Sequence, residues 1–313
     1  MLRDPLHAAT RRDVGRLPCL AILVLLAVNH DLCAQTTLTL APVKDTYLQD
    51  IAPTSNFGAS EELLFGRGVS FGLGNIRTLV EFDLTALPHA NVKQAVFSAW
   101  QFKTEPAAGT IECRVQRCTT AWTETGATWA TAPAYDTKIW GEAQVGDGPF
   151  GWVDWTVTDL VRAQAAGLYP ALGWLFKTGS DTAGISRLGH FHSREYVADP
   201  TKRPKLVVEM YDLDLAVAQP STGIPTPITV DRAEPNQAVV LAIDFTKVGL
   251  TPIVRLGVVF EMHDPSLLAI LFADATGTVQ ASVQLPAAAS GVPFWIQAAA
   301  VGKLSNVVPL VAL

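Results

Sequence analysis

The tripeptide His190-Phe191-His192 puts two imidazoles on one face of a strand, the spacing of a pair of metal ligands. A zinc centre takes three or four such donors. His89 and His263 stand in unrelated contexts, so the pair reads as surface or rim histidines. Cys113 and Cys118 are five positions apart in what reads as one strand, 110–120. An odd separation sends them to opposite faces, roughly 17 Å apart, beyond the ~7 Å reach of a disulfide between Cα atoms. They read as two small, semi-buried side chains. Asp83, Glu124, Asp154 and Asp159 are the acids from which a glycosidase pair could be drawn, but sequence sets no distance between them. Gly68-Val69-Ser70-Phe71-Gly72 has the Gly-x-Ser-x-Gly spacing, but a strand rather than a helix follows it, so it is not the elbow of nucleophilic catalysis. The glycines from Gly66 to Gly74 are those of a phosphate cradle, which needs a helix N-terminus; here a strand follows at Arg77. The stretch reads as a loop between strands.

The elements that must position these groups are strands. Segments 36–40 and 77–84 alternate polar and apolar residues, setting Leu79 and Glu81 opposite Val80 and Phe82. Segments 94–102, 151–157, 171–177 and 205–211 read the same way. One short helix is expected, capped by Thr158, carrying Leu160, Val161 and Gln164, and stopped at Gly167. Composition shifts after Tyr211. Residues 213–227, with Pro220, Pro225 and Pro227, read as a linker. Beyond it, apolar runs at 238–245, 254–260, 267–272, 278–285, 294–300 and 307–311 predict a small immunoglobulin-like β-sandwich over 228–313.

Residues 1–34 have the form of a secretory leader: Arg11, Arg12 and Arg16, an apolar run over 17–28, and Ala34 as the small residue before the cut. That run is shorter than the about 20 residues a bilayer requires, and no later segment reads as a membrane span. Hydrophobic residues make up 49% of the 313 and charged residues 17%, against about 25% charged on average, which excludes intrinsic disorder. A net charge of −6 excludes an electrostatic grip on nucleic acid phosphates.

Seven tryptophans precede the linker: Trp100, Trp122, Trp129, Trp140, Trp152, Trp155 and Trp174. Indole faces stack well on the C–H side of a pyranose, yet large aromatics also dominate cores. About two of the seven are expected to face solvent or a ligand. Trp152 and Trp155 have opposite parity, so one points inward and the other outward.

The segment Trp122-Thr123-Glu124-Thr125-Gly126-Ala127-Thr128-Trp129, followed by Pro133, resembles the Trp-x-Glu-x-x-x-Thr-Trp signature of the DNRLRE domain, also described as carbohydrate-binding module family 96 and as disaggregatase-related. Matching pieces follow in order. Asp45 opens the first strand, and Asn56-Phe57-Gly58 leads to Leu63-Leu64-Phe65-Gly66. The strand from Arg77 to Leu84 resembles Arg-x-Leu-x-x-Phe-Asp-Leu. Phe191-His192-Ser193-Arg194-Glu195 resembles Phe-x-Ser-x-Glu, and Pro204 to Val208 the closing strand. The likeness spans about residues 38–211, one domain of ordinary size. It departs from the pattern at Thr156-Val157-Thr158, where the family has Asp-Val-Thr; Asp154 lies two residues earlier on the same face.

The resemblance implies a jelly-roll β-sandwich of exported bacterial proteins, with polysaccharide binding in some relatives and no implied catalysis. The fold expected is thus all-β: a jelly-roll module over 35–212, a linker, and the smaller C-terminal sandwich. The function expected is that of a secreted, extracellular polysaccharide-binding protein without catalytic activity. Its partner would be a polysaccharide or cell-surface glycan, contacted by Arg77, Trp122, Trp129, Arg194 and Glu195. An anionic glycan would draw further on Arg114, Arg117 and Arg187. Within the family likeness, Arg77 and Glu195 also read as a buried ion pair, and Asn56-Phe57-Gly58 as a fixed turn. The rival readings are a structural or adhesive surface sandwich with no specific ligand, and a polysaccharide-degrading enzyme. No cofactor is expected; structural calcium is left open, without a ligand loop of recognisable spacing.

Overall fold

The computed structural model of the chain describes residues 37–313 except 88–90, 107, 108, 147 and 180–185. The leader-like segment 1–34 and His89 lie outside the described residues. Residues 37–210 build β1 (Thr37–Leu40), β2 (Lys44–Gln49), β3 (Glu62–Gly68), β4 (Gly74–Glu81), β5 (Val92–Glu105) and β6 (Thr110–Arg117). They continue with β7 (Gly141–Gly146), β8 (Gly151–Thr156), α1 (Thr158–Ala165), β9 (Trp174–Lys177), β10 (Arg187–His192) and β11 (Lys205–Met210). The ladder runs β1-β11-β5-β10-β3-β4-β9-β6-β7, with β2 paired to β4 and β8 to β5, every pairing antiparallel.

The long β5 turns this ladder into a sandwich. Its first part pairs with β11 and β8, its last residues with β10 across a register shift at His190/Phe191. Inward side chains from distant parts of the ladder then meet. The Phe97 ring of β5 lies 4.8 Å from Phe176 and 6.3 Å from Trp174 of β9, and Trp155 of β8 lies 5.5 Å from Phe176. Aromatic pairs at such separations add about 0.5–1.5 kcal/mol each beyond the burial of their area. The alternation read in β4 is observed, since Val80 and Phe82 enter this core.

Leu79, on the other face of β4, is nevertheless fully buried. The segment 119–140 crosses that face and lays Trp122 and Ala127 on Leu48, Leu79 and Leu175. Cys113 belongs to the inner core and Cys118 to this outer cluster, so the two thiols are free and on opposite sides of the sheet. The glycine run is a β3–β4 hairpin rather than an anion cradle. At Gly66, with φ +126°, a Cβ would lie 2.2 Å from the Arg187 carbonyl oxygen, so close strand approach explains that residue. Thr158 does not cap α1; its hydroxyl accepts the Ala95 amide at 3.0 Å and ties the helix to β5. Gly167, at φ +71°, does stop it.

Beyond Met210 come β12 (Asp214–Val217), β13 (Pro225–Asp231), β14 (Ala238–Asp244), β15 (Val248–Ile253) and β16 (Val258–Met262). β17 (Ser266–Phe272), β18 (Val279–Gln284), β19 (Pro293–Ala300), β20 (Lys303–Leu304) and β21 (Val308–Val311) complete the chain. Sheet β12-β13-β18 and sheet β17-β14-β19-β20, with β21 on β19, enclose a second apolar cluster around Val230, Leu241, Phe294 and Ile296. The stretch 213–227, read as linker, therefore holds β12 and the start of β13. Pro225 and Pro227 fit there because β12 pairs only with Ile228–Asp231, leaving the prolines on an open edge with their rings exposed. The run 254–260, read as one strand, holds a turn at Gly257 (φ +66°) and then the first residues of β16, which pairs back on β15.

Candidate functional site

Three of the five residues expected at a site, Arg77, Trp122 and Trp129, meet on the outer side of β4. Arg77 shares the face of Leu79, and its guanidinium carbon lies 4.3 Å from the centre of the Trp129 ring and 5.5 Å from that of Tyr135. Trp122 is 7% exposed and forms part of the core. Its indole Nε1 donates to the Leu172 carbonyl at 3.0 Å, while the Lys44 ammonium stands 4.6 Å from its ring centre. Only a small part of its indole remains exposed. The signature segment is held down by its neighbours. Asn56 Nδ2 donates to the carbonyls of Glu124 at 2.6 Å and Ala127 at 2.8 Å, and Ala130 N donates to Pro53 O at 2.8 Å. Gly58 lies so near that a Cβ would stand 2.6 Å from the Glu124 oxygen. The Asn-Phe-Gly turn is thus a clamp for the Trp122 segment.

Arg194 and Glu195, the other two, join Asp45 and Glu124. Arg194 Nε donates to Glu195 Oε1 at 2.7 Å and lies 3.4 Å from Glu124 Oε1, while its amide donates to Asp45 Oδ2 at 2.9 Å. The Asp45 amide donates to Glu124 Oε1 at 2.9 Å. Glu195 thus pairs with Arg194, and Arg77 stacks on Trp129. Burial pushes the Asp45 carboxyl well above its usual range; the Arg194 amide opposes this, and Glu195 and Glu124 add to it. Burial would lower Arg194, but Glu195, Glu124 and Asp45 outweigh it and raise its pKa.

A second aromatic surface was not anticipated. Phe97 and Ala99 point inward from β5, so Trp100 and Phe102 point outward. Trp100 pairs in register with Trp152 of β8, and their half-buried rings cross at 87° with centres 5.5 Å apart. Lys202 Nζ lies 5.0 Å from the Trp100 ring centre and Lys205 Nζ 4.0 Å from that of Trp152. The surface continues through three stacked rings. Phe102 lies 4.6 Å from His192 with planes 16° apart, and His192 lies 3.5 Å from Tyr196 at 12°. His190 and His192 do share a strand face, but His192 is sandwiched between rings, and His190 Nδ1 lies 3.4 Å from Glu62. Burial, then Lys202, lowers the His192 pKa against Glu62, Asp199 and Glu61. Strand parity alone would have found this face; the family-like signature drew attention to Trp122 and Trp129 instead. Of the seven tryptophans, Trp122, Trp155 and Trp174 are buried and four are half-buried, more than the two expected outside the core.

The four acids named as a glycosidase reservoir sit in separate networks. Asp83 bonds Thr85, Glu124 accepts from Asp45, Asp154 accepts from Ser98 at 2.6 Å, and Asp159 faces Arg162 at 4.0 Å. Arg187 is buried, with Nη1 donating to the Pro106 carbonyl, and Arg117 is paired with Asp136 at 3.1 Å.

Residues 36–210 match the model of carbohydrate-binding module family 96. A gellan lyase from Bacillus sp is 27% identical over 180 residues, covering 56% of this chain and 7% of that protein. The chain thus spans a small fraction of the relative it matches. Among solved structures, red sea bream transglutaminase aligns with 88% of this chain and 31% of its own at 9% identity and a TM-score of 0.22, too low to argue from. Among the described residues, no helix is long and apolar enough to cross a membrane.

Proposed function

Since the chain belongs to carbohydrate-binding module family 96, we propose that it is a secreted, non-catalytic protein that binds an acidic polysaccharide on the face built by Trp100 and Trp152. The observation that carries this reading is the crossed indole pair with an ammonium over each ring. Carbohydrate offers weakly polar C–H faces that stack on indole, and the half-buried rings retain surface for that contact. An exposed cation–π contact is worth only about 0.5–1 kcal/mol, so Lys205 can leave its ring at little cost, whereas Lys202 is also paired with Asp199 at 3.3 Å. A sugar carboxylate then gives the Lys205 ammonium a charge-assisted hydrogen bond in place of the ring. The platform sits on paired strands, so little ordering is needed on binding.

The binding reading fits the placement of Asp83, Glu124, Asp154 and Asp159 in separate networks, which pairs no two of them for glycoside hydrolysis. Secretion is supported by the leader-like sequence of residues 1–34. Affinity electrophoresis of the protein in gels containing a polyuronate, gellan or a neutral glucan tests the reading. Retardation is expected in the acidic gels, and its loss in Trp100→Ala and Trp152→Ala. Equal mobility of wild type and variants in every gel would favour a structural or adhesive sandwich instead.

A further inference from the structure

Asp45 of β2, Glu124 of segment 119–140 and Glu195 after β10 come from three distant parts of the sequence, yet each places a carboxylate oxygen within 4.8 Å of the others. Their shared cation is Arg194, which reaches Glu195 and Glu124 through Nε. Lys44, next to Asp45 in sequence, is committed to Glu81 at 2.8 Å. With all three carboxylates ionised, the one guanidinium of Arg194 leaves two negative charges unmatched. Two oxygens stand out. Asp45 Oδ1 and Glu195 Oε2 are buried without a hydrogen-bond partner, and Asp45 as a whole is 1% exposed. Native proteins rarely leave such atoms unsatisfied, and each one calls for a ligand or another specific explanation.

The geometry points to a divalent-cation site, of the calcium type, formed by Asp45, Glu124 and Glu195. An all-oxygen donor set suits a hard cation, and oxygens bound to one calcium at 2.3–2.6 Å can be no more than about 5 Å apart, a span that contains the observed cluster. The ion's charge matches the two that Arg194 leaves over. It would tie the segment bearing Trp122 and Trp129 to β2 and to the chain following β10, acting as a clasp on the outer side of β4. The sequence showed no calcium loop because the donors are assembled by the fold rather than by a contiguous motif.

Isothermal titration with calcium chloride and thermal melts in EDTA, calcium and magnesium test the site on the full chain, with no glycan involved. Wild type is expected to bind one calcium per chain and to melt several degrees higher with saturating calcium than in EDTA. Asp45→Asn keeps the acceptor for the Arg194 amide and removes the charge. It is expected to melt no lower than wild type in EDTA, to weaken calcium binding at least about tenfold, and to lose the calcium-dependent shift. Glu124→Gln, on the more exposed side of the cluster, is expected to do the same and carries the test should Asp45→Asn not fold. No heat of binding at millimolar calcium with identical melts would overturn the site and leave Asp45 and Glu195 sharing a proton. Unchanged calcium affinity in the folded variants would overturn it equally.

Discussion

Trp152 and Trp155 stand three positions apart on β8 and serve opposite sides of one sheet. Trp155 is 2% exposed and lies 5.4 Å from Phe97, whereas Trp152 crosses Trp100 on the outer surface. Period-two strand geometry makes this division from sequence spacing alone. It also separates stability from recognition. Trp155→Ala is expected to cost about 3–5 kcal/mol, the range for removing a buried large aromatic. Trp152→Ala is expected to cost less, about 1–2 kcal/mol, the loss of its crossed pair with Trp100 and of the Lys205 contact. Urea unfolding of both variants checks this; equal losses would mean that Trp152 is as much core as Trp155.

Asn56 fastens the signature segment by donating to Glu124 O and Ala127 O. Asn56→Ala is expected to destabilise by about 1–3 kcal/mol, since two carbonyls lose their donor. It should also expose segment 119–140 to proteolysis and shift Trp122 emission to the red. An unchanged cleavage pattern would show that other contacts, such as Ala130 N to Pro53 O, hold the segment alone.

The two described thiols should be inert. Burial pushes Cys113 well above the usual thiol range, and burial with Glu81 and Asp136 pushes Cys118 up to about 12. Thiolate is the reactive form, so iodoacetamide at pH 8 is expected to label neither position until the protein is unfolded, as read by peptide mass mapping. Rapid native labelling of Cys118 would contradict its place beneath Trp122.

His192 should make the protein acid-sensitive. Its pKa is lowered by burial and Lys202, only partly offset by Glu62, Asp199 and Glu61, and its ring is stacked between Phe102 and Tyr196. Below its unfolded value near 6.5 the unfolded chain takes up a proton that the native ring resists. Stability is therefore lost as pH falls from that value towards the depressed native one, and is fully present above it. His192→Phe keeps a stacking ring and cannot titrate. The melting temperature of the variant is expected to gain on wild type between pH 7 and pH 5; parallel profiles over that interval would contradict the assignment.

Much of this organisation was legible beforehand. The alternation in β4 placed Val80 and Phe82 inward, an odd separation kept Cys113 from Cys118, and Gly167 ended α1 as its type predicts. What escaped the reading depends on chain segments far away. Leu79 is buried because segment 119–140 folds over a face that alternation alone cannot distinguish from a solvated one. Trp122, expected at a ligand through the signature, is buried within a segment that Asn56 clamps from far away in the sequence. The prolines at 225 and 227 suggested a linker because sequence does not reveal that β12 stops short of them. Asp45, Glu124 and Glu195 share no local spacing and meet only once β2, segment 119–140 and the chain after β10 are assembled.

Affinity measured on correctly folded variants tests recognition on the outer face of β5 and β8 most directly. Wild type, Trp100→Ala, Trp152→Ala and Lys205→Ala should be titrated by calorimetry with the acidic polysaccharide that retards wild type, each variant first matched to wild type by melting temperature. We expect each indole truncation to weaken binding at least about tenfold, the loss of roughly 1.4 kcal/mol, with a smaller loss for Lys205→Ala that shrinks as salt is raised. Full affinity in the Trp100→Ala Trp152→Ala double variant would place the ligand elsewhere and contradict the claim.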